Sequence, residues 1–325
     1  MHCWKKILAV LLIFAGGSVL LPEESHAAGK TPLPEEVNKI AAAVPGRPTV
    51  KPLKPRRLLV FSKAWGYQHS AIPYGRAAVE IMAKKTGAFE AVISDDLSLF
   101  EPANLRQFDA VLFNNTNEEI FLPEKVDVLP SNEQAEAQKR DRALKKSLAD
   151  FIAGGKGLAV IHAGVASFRE WPEFGNIIGA RFDNHPWTAG STVTLKVDDP
   201  GHPVARAFAQ THFEVTDEIY QVKDPYSRDK LRVLLSIDTT KTYIRLDRVK
   251  TIHRRDNDFA ISWVKSYGQG RVFYCALGHQ HDIFWNPVIL QHFLDGIQFA
   301  LGDLKGDTTP SARVRTRLSS GGAKK

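Results

Sequence analysis

A short apolar run that stops at a histidine constrains the fold more than any other part of the sequence. Residues Gly157–Ile161 (GLAVI) follow a glycine pair typical of a helix end, and they have the length of a buried parallel strand. His162 comes next, followed by the small residues Ala163 and Gly164, which suit a sharp turn with close backbone contact. Ligands of open α/β sheets bind beyond the carboxyl ends of the strands, so His162 is predicted to lie where chemistry occurs.

Apolar runs and helical periods alternate through the first half of the chain. The patterns predict strands at 57–62, 89–94, 108–113 and 157–161, and helices at 72–84 and 141–153. The polar stretch 118–137 is predicted to be a loop insertion. This alternation indicates an α/β domain with right-handed crossovers and a doubly wound, mostly parallel sheet.

After residue 186 the pattern changes to strands without intervening long helices. Strands are predicted at 191–197, 213–220, 232–237, 259–264 and 270–277, and the final helix at 287–301 carries an apolar stripe that would pack on the sheet. The chain is therefore predicted to form a single α/β domain, residues 57–303, with added β-strands.

The first 27 residues are typical of a secretory signal peptide. Lys5 and Lys6 precede the apolar run 7–21, and Ser25-His26-Ala27 resembles a cleavage site. The run is short for a bilayer span. We therefore expect export to the periplasm or the extracellular space, with a retained membrane anchor as the alternative. Cleavage would leave Cys275 as the single thiol, and its place in an apolar strand predicts a buried, inert side chain.

The formal net charge of +7 is concentrated at the two ends of the chain. Residues 28–57 and residues 304–325 each carry +5, whereas residues 58–303 carry −3. We interpret 28–56 as a basic, Pro-rich linker and 304–325 as a basic disordered tail. Because the folded body lacks the basic excess of a nucleic-acid surface, nucleic acid is not an expected partner. The flanks leave open a weak electrostatic contact with an anionic cell envelope.

Histidines and carboxylates follow several of the predicted strands. Imidazole exchanges a proton near neutral pH or ligates a metal, and carboxylates act as acids or bases. We expect at least two of these groups to share one pocket, with His162, Glu218 and His69 as the catalytic candidates. The full set is His69, His162, His185 in a loop, Asp217, Glu218, His279 and His281.

The spacing of His279 and His281 suggests a metal site. In extended backbone both rings would face the same side and could bind a divalent metal ion, with His69, His185 or Glu218 as a third ligand. The alternative is a pair of histidines that bind substrate hydroxyls or backbone groups. No nucleotide cofactor is expected, because the glycine-rich Gly154–Gly157 precedes its strand instead of following it.

Aromatic side chains lie in or beside the same loops. Aromatic faces stack on sugar rings while neighbouring polar groups bind the sugar hydroxyls. A small carbohydrate is therefore the predicted ligand. The expected substrate-binding residues are Trp65, Tyr67, His185, Trp187 and His279.

Several segments together resemble the trehalose-utilisation (ThuA-like) family, which belongs to the class I glutamine amidotransferase-like superfamily. They are GGKGLAVIHAG at 154–164, FGNIIGARFDNHP at 174–186, HPVARAF at 202–208, VTDEIY at 215–220 and ISWVKSYGQGRVFYCALGH at 261–279. The resemblance implies a flavodoxin-like fold and a link to carbohydrate metabolism. Amidotransferase relatives carry a cysteine nucleophile at the position that His162 occupies here. Cysteine-dependent glutamine hydrolysis is therefore not expected.

These observations lead to two hypotheses about function. The first is an exported carbohydrate-processing enzyme that uses acid–base chemistry, with or without a divalent metal, as a hydrolase, isomerase or lyase. The second is a non-catalytic carbohydrate-binding module on the same fold.

Overall fold

Nine strands form a single sheet in the computed structural model, which describes residues 31–208 and 212–314. The predicted signal peptide, 1–27, and residues 315–325 of the predicted tail lie outside the described residues. The strands are β1 Arg57–Phe61, β2 Glu90–Ile93, β3 Ala110–Asn114, β4 Gly157–Ile161, β5 Arg181–Val197, β6 His212–Lys223, β7 Arg232–Ile237, β8 Ala260–Tyr267 and β9 Gly270–Cys275.

The helices of the described residues connect and flank these strands. They are α1 Pro34–Ala43, α2 Ile72–Thr86, α3 Pro102–Leu105, α4 Ser131–Ala153, α5 Pro172–Ile178 and α6 Pro287–Leu301, and residues 311–314 are also helical. Several single turns of 3₁₀-helix also occur, and the one at His162–Ala166 follows β4 directly. Among residues 31–208 and 212–314, no helix has the length and apolar character needed to cross a bilayer.

The sheet has a parallel half and an antiparallel half. Its strand order is β2-β1-β3-β4-β9-β8-β7-β5-β6. The pairings from β2 to β9 are parallel, and those from β9 to β6 are antiparallel. The prediction of an α/β fold with parallel strands and added β-strands is confirmed. The sheet is mixed and not mostly parallel, because four of its eight strand pairings are antiparallel. The doubly wound arrangement stays a prediction.

The parallel half brings distant parts of the sequence to one edge of the sheet. Strands β1, β3, β4 and β9 point the same way, so the residues that follow each of them emerge at the same edge. In β4 every residue is buried, as expected for a strand in the middle of a sheet that is covered on both faces. This topology places the loops carrying His69, His162 and His279 side by side.

Two predicted element boundaries need correction. Helix α4 begins at Ser131, within the stretch predicted to be a loop. Its first turns are polar on all sides and show no apolar stripe from which to recognise a helix. Strand β5 begins at Arg181, so His185 lies in a strand and not in a loop. Three register shifts between β5 and β6 interrupt the two-residue alternation that identifies a strand.

The described parts of both flanks pack against the domain. Residues 34–56, predicted to belong to a linker, contain helix α1, and the backbone N–H of Thr49 donates to Gln298 Oε1 at 2.8 Å. The Arg56 guanidinium pairs with the buried Asp303 carboxylate at 2.7 Å. In the segment predicted to be a disordered tail, the Ser311 hydroxyl accepts from the Val233 N–H at 2.9 Å. These contacts join residues far apart in sequence, and no local pattern reveals them.

Helix α6 packs closely on β4 and β9. A Cβ atom added at Gly157 would lie 2.1 Å from the carbonyl oxygen of Ala300. The helix backbone can therefore approach β4 only because residue 157 has no side chain.

We expect Gly157→Ala to destabilise the fold by about 1–3 kcal/mol, because the added methyl group must push α6 away from the sheet. Gly46→Ala is the matched control, since a Cβ there would meet no atom within 4 Å. Chemical denaturation of both variants measures the effect. Equal stability of the two variants would contradict this account of the packing.

Candidate active site

His162 lies at the sharp turn after β4. Its backbone has φ 48°, a left-handed conformation that few residues other than glycine adopt, and its ring is fully buried. Its Nδ1 lies 2.6 Å from the carbonyl oxygen of Ala276, to which Nδ1–H donates. This bond leaves Nε2 unprotonated in the neutral ring, and Nε2 lies 3.5 Å from Oε2 of Glu218.

His69 reaches the same place from the loop between β1 and α2. Its ring is buried, and Nε2 lies 3.3 Å from the Tyr220 hydroxyl. When Nε2–H donates to the Tyr220 hydroxyl, Nδ1 carries no proton and can accept a hydrogen bond or bind a metal ion. Burial, reinforced by His162 and His279, lowers the pKa of His69 to about 2. The ring is therefore neutral throughout the physiological pH range.

Glu218, on β6, is the carboxylate that faces these rings. Its Oε2 lies 3.1 Å from Nδ1 of His279, and its Oε1 lies 3.5 Å from Nδ1 of His185. Burial acts to raise the pKa of Glu218, but the contacts with His162 and His279 outweigh it and hold that pKa well below the ordinary value. Burial acts to lower the pKa of His279, but the Glu218 carboxylate outweighs burial, so the pKa of His279 is raised.

Three of the imidazole nitrogens converge without hydrogen-bond partners. Among the described residues, His69 Nδ1, His162 Nε2 and His279 Nδ1 are buried and make no hydrogen bond, and the same is true of His185 Nδ1 beside them. The 3.1 Å contact of His279 Nδ1 with Glu218 is close but is not directed as a hydrogen bond. These atoms and a carboxylate oxygen of Glu218 all lie within 4.8 Å of one another. Buried polar atoms without partners are costly and rare. Three imidazoles and one carboxylate form a donor set that suits Zn²⁺ or Fe²⁺ better than Mg²⁺ or Ca²⁺.

His281 is not part of this cluster. Its Nε2 lies 2.9 Å from the Ser70 hydroxyl, and its ring stacks on Tyr74 with the centroids 4.0 Å apart. The expectation that His279 and His281 bind one metal ion from the same side is wrong. It assumed extended backbone, whereas His281 begins a 3₁₀-helix that ends at Trp285.

Two predicted substrate-binding residues lie at the rim of the site. Tyr67 is 61% exposed, and its ring stacks on His279 with a centroid separation of 6.2 Å. It also meets the edge of His69 at 4.7 Å. His185 is half-exposed, with Nδ1 turned inward to Glu218. These two side chains join the buried cluster to the solvent.

Of the two predicted tryptophan contacts, Trp187 is covered by packing, whereas Trp65 is half-buried and stays a predicted substrate contact. Trp187 is buried, its indole N–H donates to the Tyr243 carbonyl oxygen at 3.3 Å, and its ring meets the edge of Phe259. The indole N–H of Trp65 donates to the Leu122 carbonyl oxygen at 3.0 Å. The expectation that Trp187 stacks on a sugar is therefore corrected, since its faces are covered by protein.

Asp217 has a positioning role that its sequence context did not reveal. Its buried carboxylate accepts from the backbone N–H groups of Gly278 at 2.7 Å and Gln280 at 2.8 Å. Burial raises the pKa of Asp217. The Asn115 side-chain amide donates to the Gly278 carbonyl oxygen at 3.1 Å from the other side. The loop that carries His279 is thus held by two buried polar side chains, and Asp217 is not free to act as an acid or base.

The thiol of Cys275 lies in the interior of the sheet. Cys275 is the last residue of β9, fully buried, and burial raises the pKa of its thiol to about 12. A thiol with so little thiolate at neutral pH is a poor nucleophile. Cys275 is therefore not a candidate nucleophile, and the absence of cysteine-dependent amidotransferase activity stays a prediction.

We expect Asp217→Asn to destabilise the protein by about 1–3 kcal/mol, because the amide offers one oxygen where the carboxylate offered two. Amide hydrogen exchange at residues 278–280 should become faster. Asp247→Asn, at an exposed carboxylate, is the control and should change neither measurement. Unchanged exchange in Asp217→Asn would refute the positioning role.

Comparisons with known proteins agree on the fold. A ThuA-like protein from Bacteroides uniformis has a crystal structure that superimposes with a TM-score of 0.57 at 18% identity, over 81% of this chain and 98% of the other. A ThuA-like protein from Parabacteroides merdae gives a TM-score of 0.52 at 16% identity, over 78% and 93%. No curated protein sequence matches the chain.

The sequence itself matches the ThuA family, described as trehalose utilisation, over residues 57–300. This range covers most of the chain and includes all four residues of the buried cluster. The chain belongs to the ThuA trehalose-utilisation family.

Proposed function

We propose that this protein is an exported carbohydrate-processing enzyme that binds a divalent metal ion through His69, His162, His279 and Glu218. The observation that carries the proposal is the convergence of three buried, unbonded imidazole nitrogens on one carboxylate. A metal ion would satisfy all of these atoms at once. Packing alone gives no reason to bury them unpaired.

The surrounding residues prepare these ligands in the way that metal sites require. The Ala276 carbonyl oxygen fixes the His162 tautomer, and the Tyr220 hydroxyl lies where it can do the same for His69. Asp217 fixes the loop that carries His279. A bound divalent ion would act as a Lewis acid toward a sugar oxygen.

The rim residues suit a sugar as substrate. The exposed ring of Tyr67 offers a face for a pyranose ring, and His185 presents a half-exposed imidazole whose inner nitrogen faces Glu218. Family membership supports a carbohydrate as the substrate class. His185, with Nδ1 toward Glu218 and Nε2 toward the solvent, is placed to exchange a proton with the substrate. Hydrolysis, isomerisation and elimination all use such a group.

Purified wild-type protein should contain about one divalent transition-metal ion per chain by elemental analysis. His279→Gln should contain at least 90% less metal than the wild type, because its metal affinity should fall about tenfold or more. It should also have no turnover of disaccharides or their keto derivatives. His281→Gln is the matched control two residues away, and it should retain the metal. Equal metal content in the two variants would disprove the ligand assignment.

The carbohydrate-binding module is the competing function, and chelator-treated wild type together with a His162→Gln variant tests it. A binding module would show sugar affinity that is unchanged by chelation or by His162→Gln, with no product formed. An enzyme should lose turnover in both cases.

Metal affinity should depend on pH through His279. Because the raised pKa of His279 keeps its proton to a higher pH than usual, the metal ion must displace that proton. Affinity for Zn²⁺ should therefore fall about tenfold per pH unit below that pKa and level off above it. Calorimetric titrations in two buffers of different ionisation enthalpy should report the release of about one proton per ion. Binding heats that are identical in both buffers would contradict this.

Export rests on the predicted signal segment, 1–27. Protein recovered from the periplasm or the medium should have a mass corresponding to a chain that begins at residue 28. An intact N-terminus in a membrane fraction would support the retained anchor instead.

A further inference from the structure

The connection between β7 and β8 exposes three large apolar side chains. Tyr243 is 72% exposed, Leu246 85% and Val249 48%, and we call these three residues the apolar strip. Leu246 and Val249 belong to the 3₁₀-helix Leu246–Thr251, in which residues three apart lie on the same side. Neighbouring apolar side chains with this exposure mark an interaction surface.

The surface around the apolar strip is basic. Residues 241–250 contain four Lys or Arg and one Asp, a net charge of +3, although residues 58–303 as a whole carry −3. Lys241, Arg245 and Lys250 are exposed beside the strip. A local excess of positive charge in the folded body thus lies beside three of its exposed apolar side chains.

A cavity of about 280 Å³ opens next to the apolar strip. It is lined by residues 186–192 of β5 and by Tyr243, Arg245 and Arg248. One guanidinium nitrogen of Arg248 donates to the His185 carbonyl oxygen at 2.7 Å. The wall combines an aromatic ring, hydroxyl groups and guanidinium groups, which is a suitable lining for an anionic head group.

We propose that the apolar strip docks the protein on an anionic lipid bilayer. A bilayer interface requires only a few inserted apolar side chains together with nearby Lys and Arg. A stable protein–protein interface uses about 20–30 residues on each side. A second copy of the chain would also bring two basic surfaces together across a two-fold axis. Charge and size therefore favour the bilayer.

Vesicle co-sedimentation with the full chain tests this docking surface. The protein should bind vesicles that contain phosphatidylglycerol and should not bind pure phosphatidylcholine vesicles. Binding should weaken as NaCl screens the basic side chains. Lys250→Glu should weaken binding about fivefold or more, because each basic side chain near an anionic surface contributes.

The double variant Leu246→Ser/Val249→Ser should weaken vesicle binding about tenfold or more, because it removes the inserted apolar surface. Leu53→Ser is the matched control, since Leu53 is 70% exposed at a different place. Residues 1–27 are the same in every sample, so the difference reports on the strip. Circular dichroism and metal content should be unchanged.

Either of two results would overturn the proposal. One is equal vesicle binding by the double variant and the Leu53→Ser control. The other is a dimer of the wild-type chain that the double variant dissociates, without any vesicle binding, because a second copy would then be the occupant of the strip.

Discussion

The parallel pairing of β4 with β9 is the constraint on which the site depends. Ile161 lies opposite Cys275 in this register, so the backbone that follows each strand runs side by side. The hydrogen bond between the His162 ring and the Ala276 carbonyl oxygen is a direct consequence. Gly278 completes the fit, since a Cβ there would lie 2.8 Å from a methyl group of Ile161. A shift of one residue would separate the rings and reverse the faces of the strand.

The site places several titratable side chains in the protein interior, where burial disfavours their charged forms. Burial acts to raise the pKa of Glu218 and to lower that of His279, but the contact between these two side chains outweighs burial in both. His69 has no such compensation, and its pKa is lowered to about 2. Asp217 remains buried because it accepts backbone N–H groups of the loop after β9. Such an arrangement contributes little to folding by itself, and the large apolar core around it has to supply the stability.

How far the sequence predicts this structure depends on the range of each interaction. Strand β4 and helix α6 follow from local apolar patterns, and their predicted bounds agree with the structure. The convergence of His69, His162 and His279 was foreseeable from parallel strand ends that meet at one edge. Glu218 reaches them from the middle of β6, which extends beyond the predicted strand end at residue 220. The start of β5 could not be predicted, because its register shifts interrupt the alternation of side chains that identifies a strand. The position of Trp187 could not be predicted either, because its indole N–H bonds to Tyr243, 56 residues away in the sequence. His281 failed as a ligand because the direction of a side chain follows from a backbone turn that spacing does not encode.

The packing of the N-terminal segment has a consequence for where the domain should be cut. Family similarity begins at residue 57, but the guanidinium group of Arg56 neutralises Asp303, whose side chain is completely buried. A chain that began at residue 57 but kept Asp303 would leave that carboxylate without its counter-ion inside the protein, at a cost of about 3–5 kcal/mol. The segment needed for stable folding is therefore longer than the segment that matches the family.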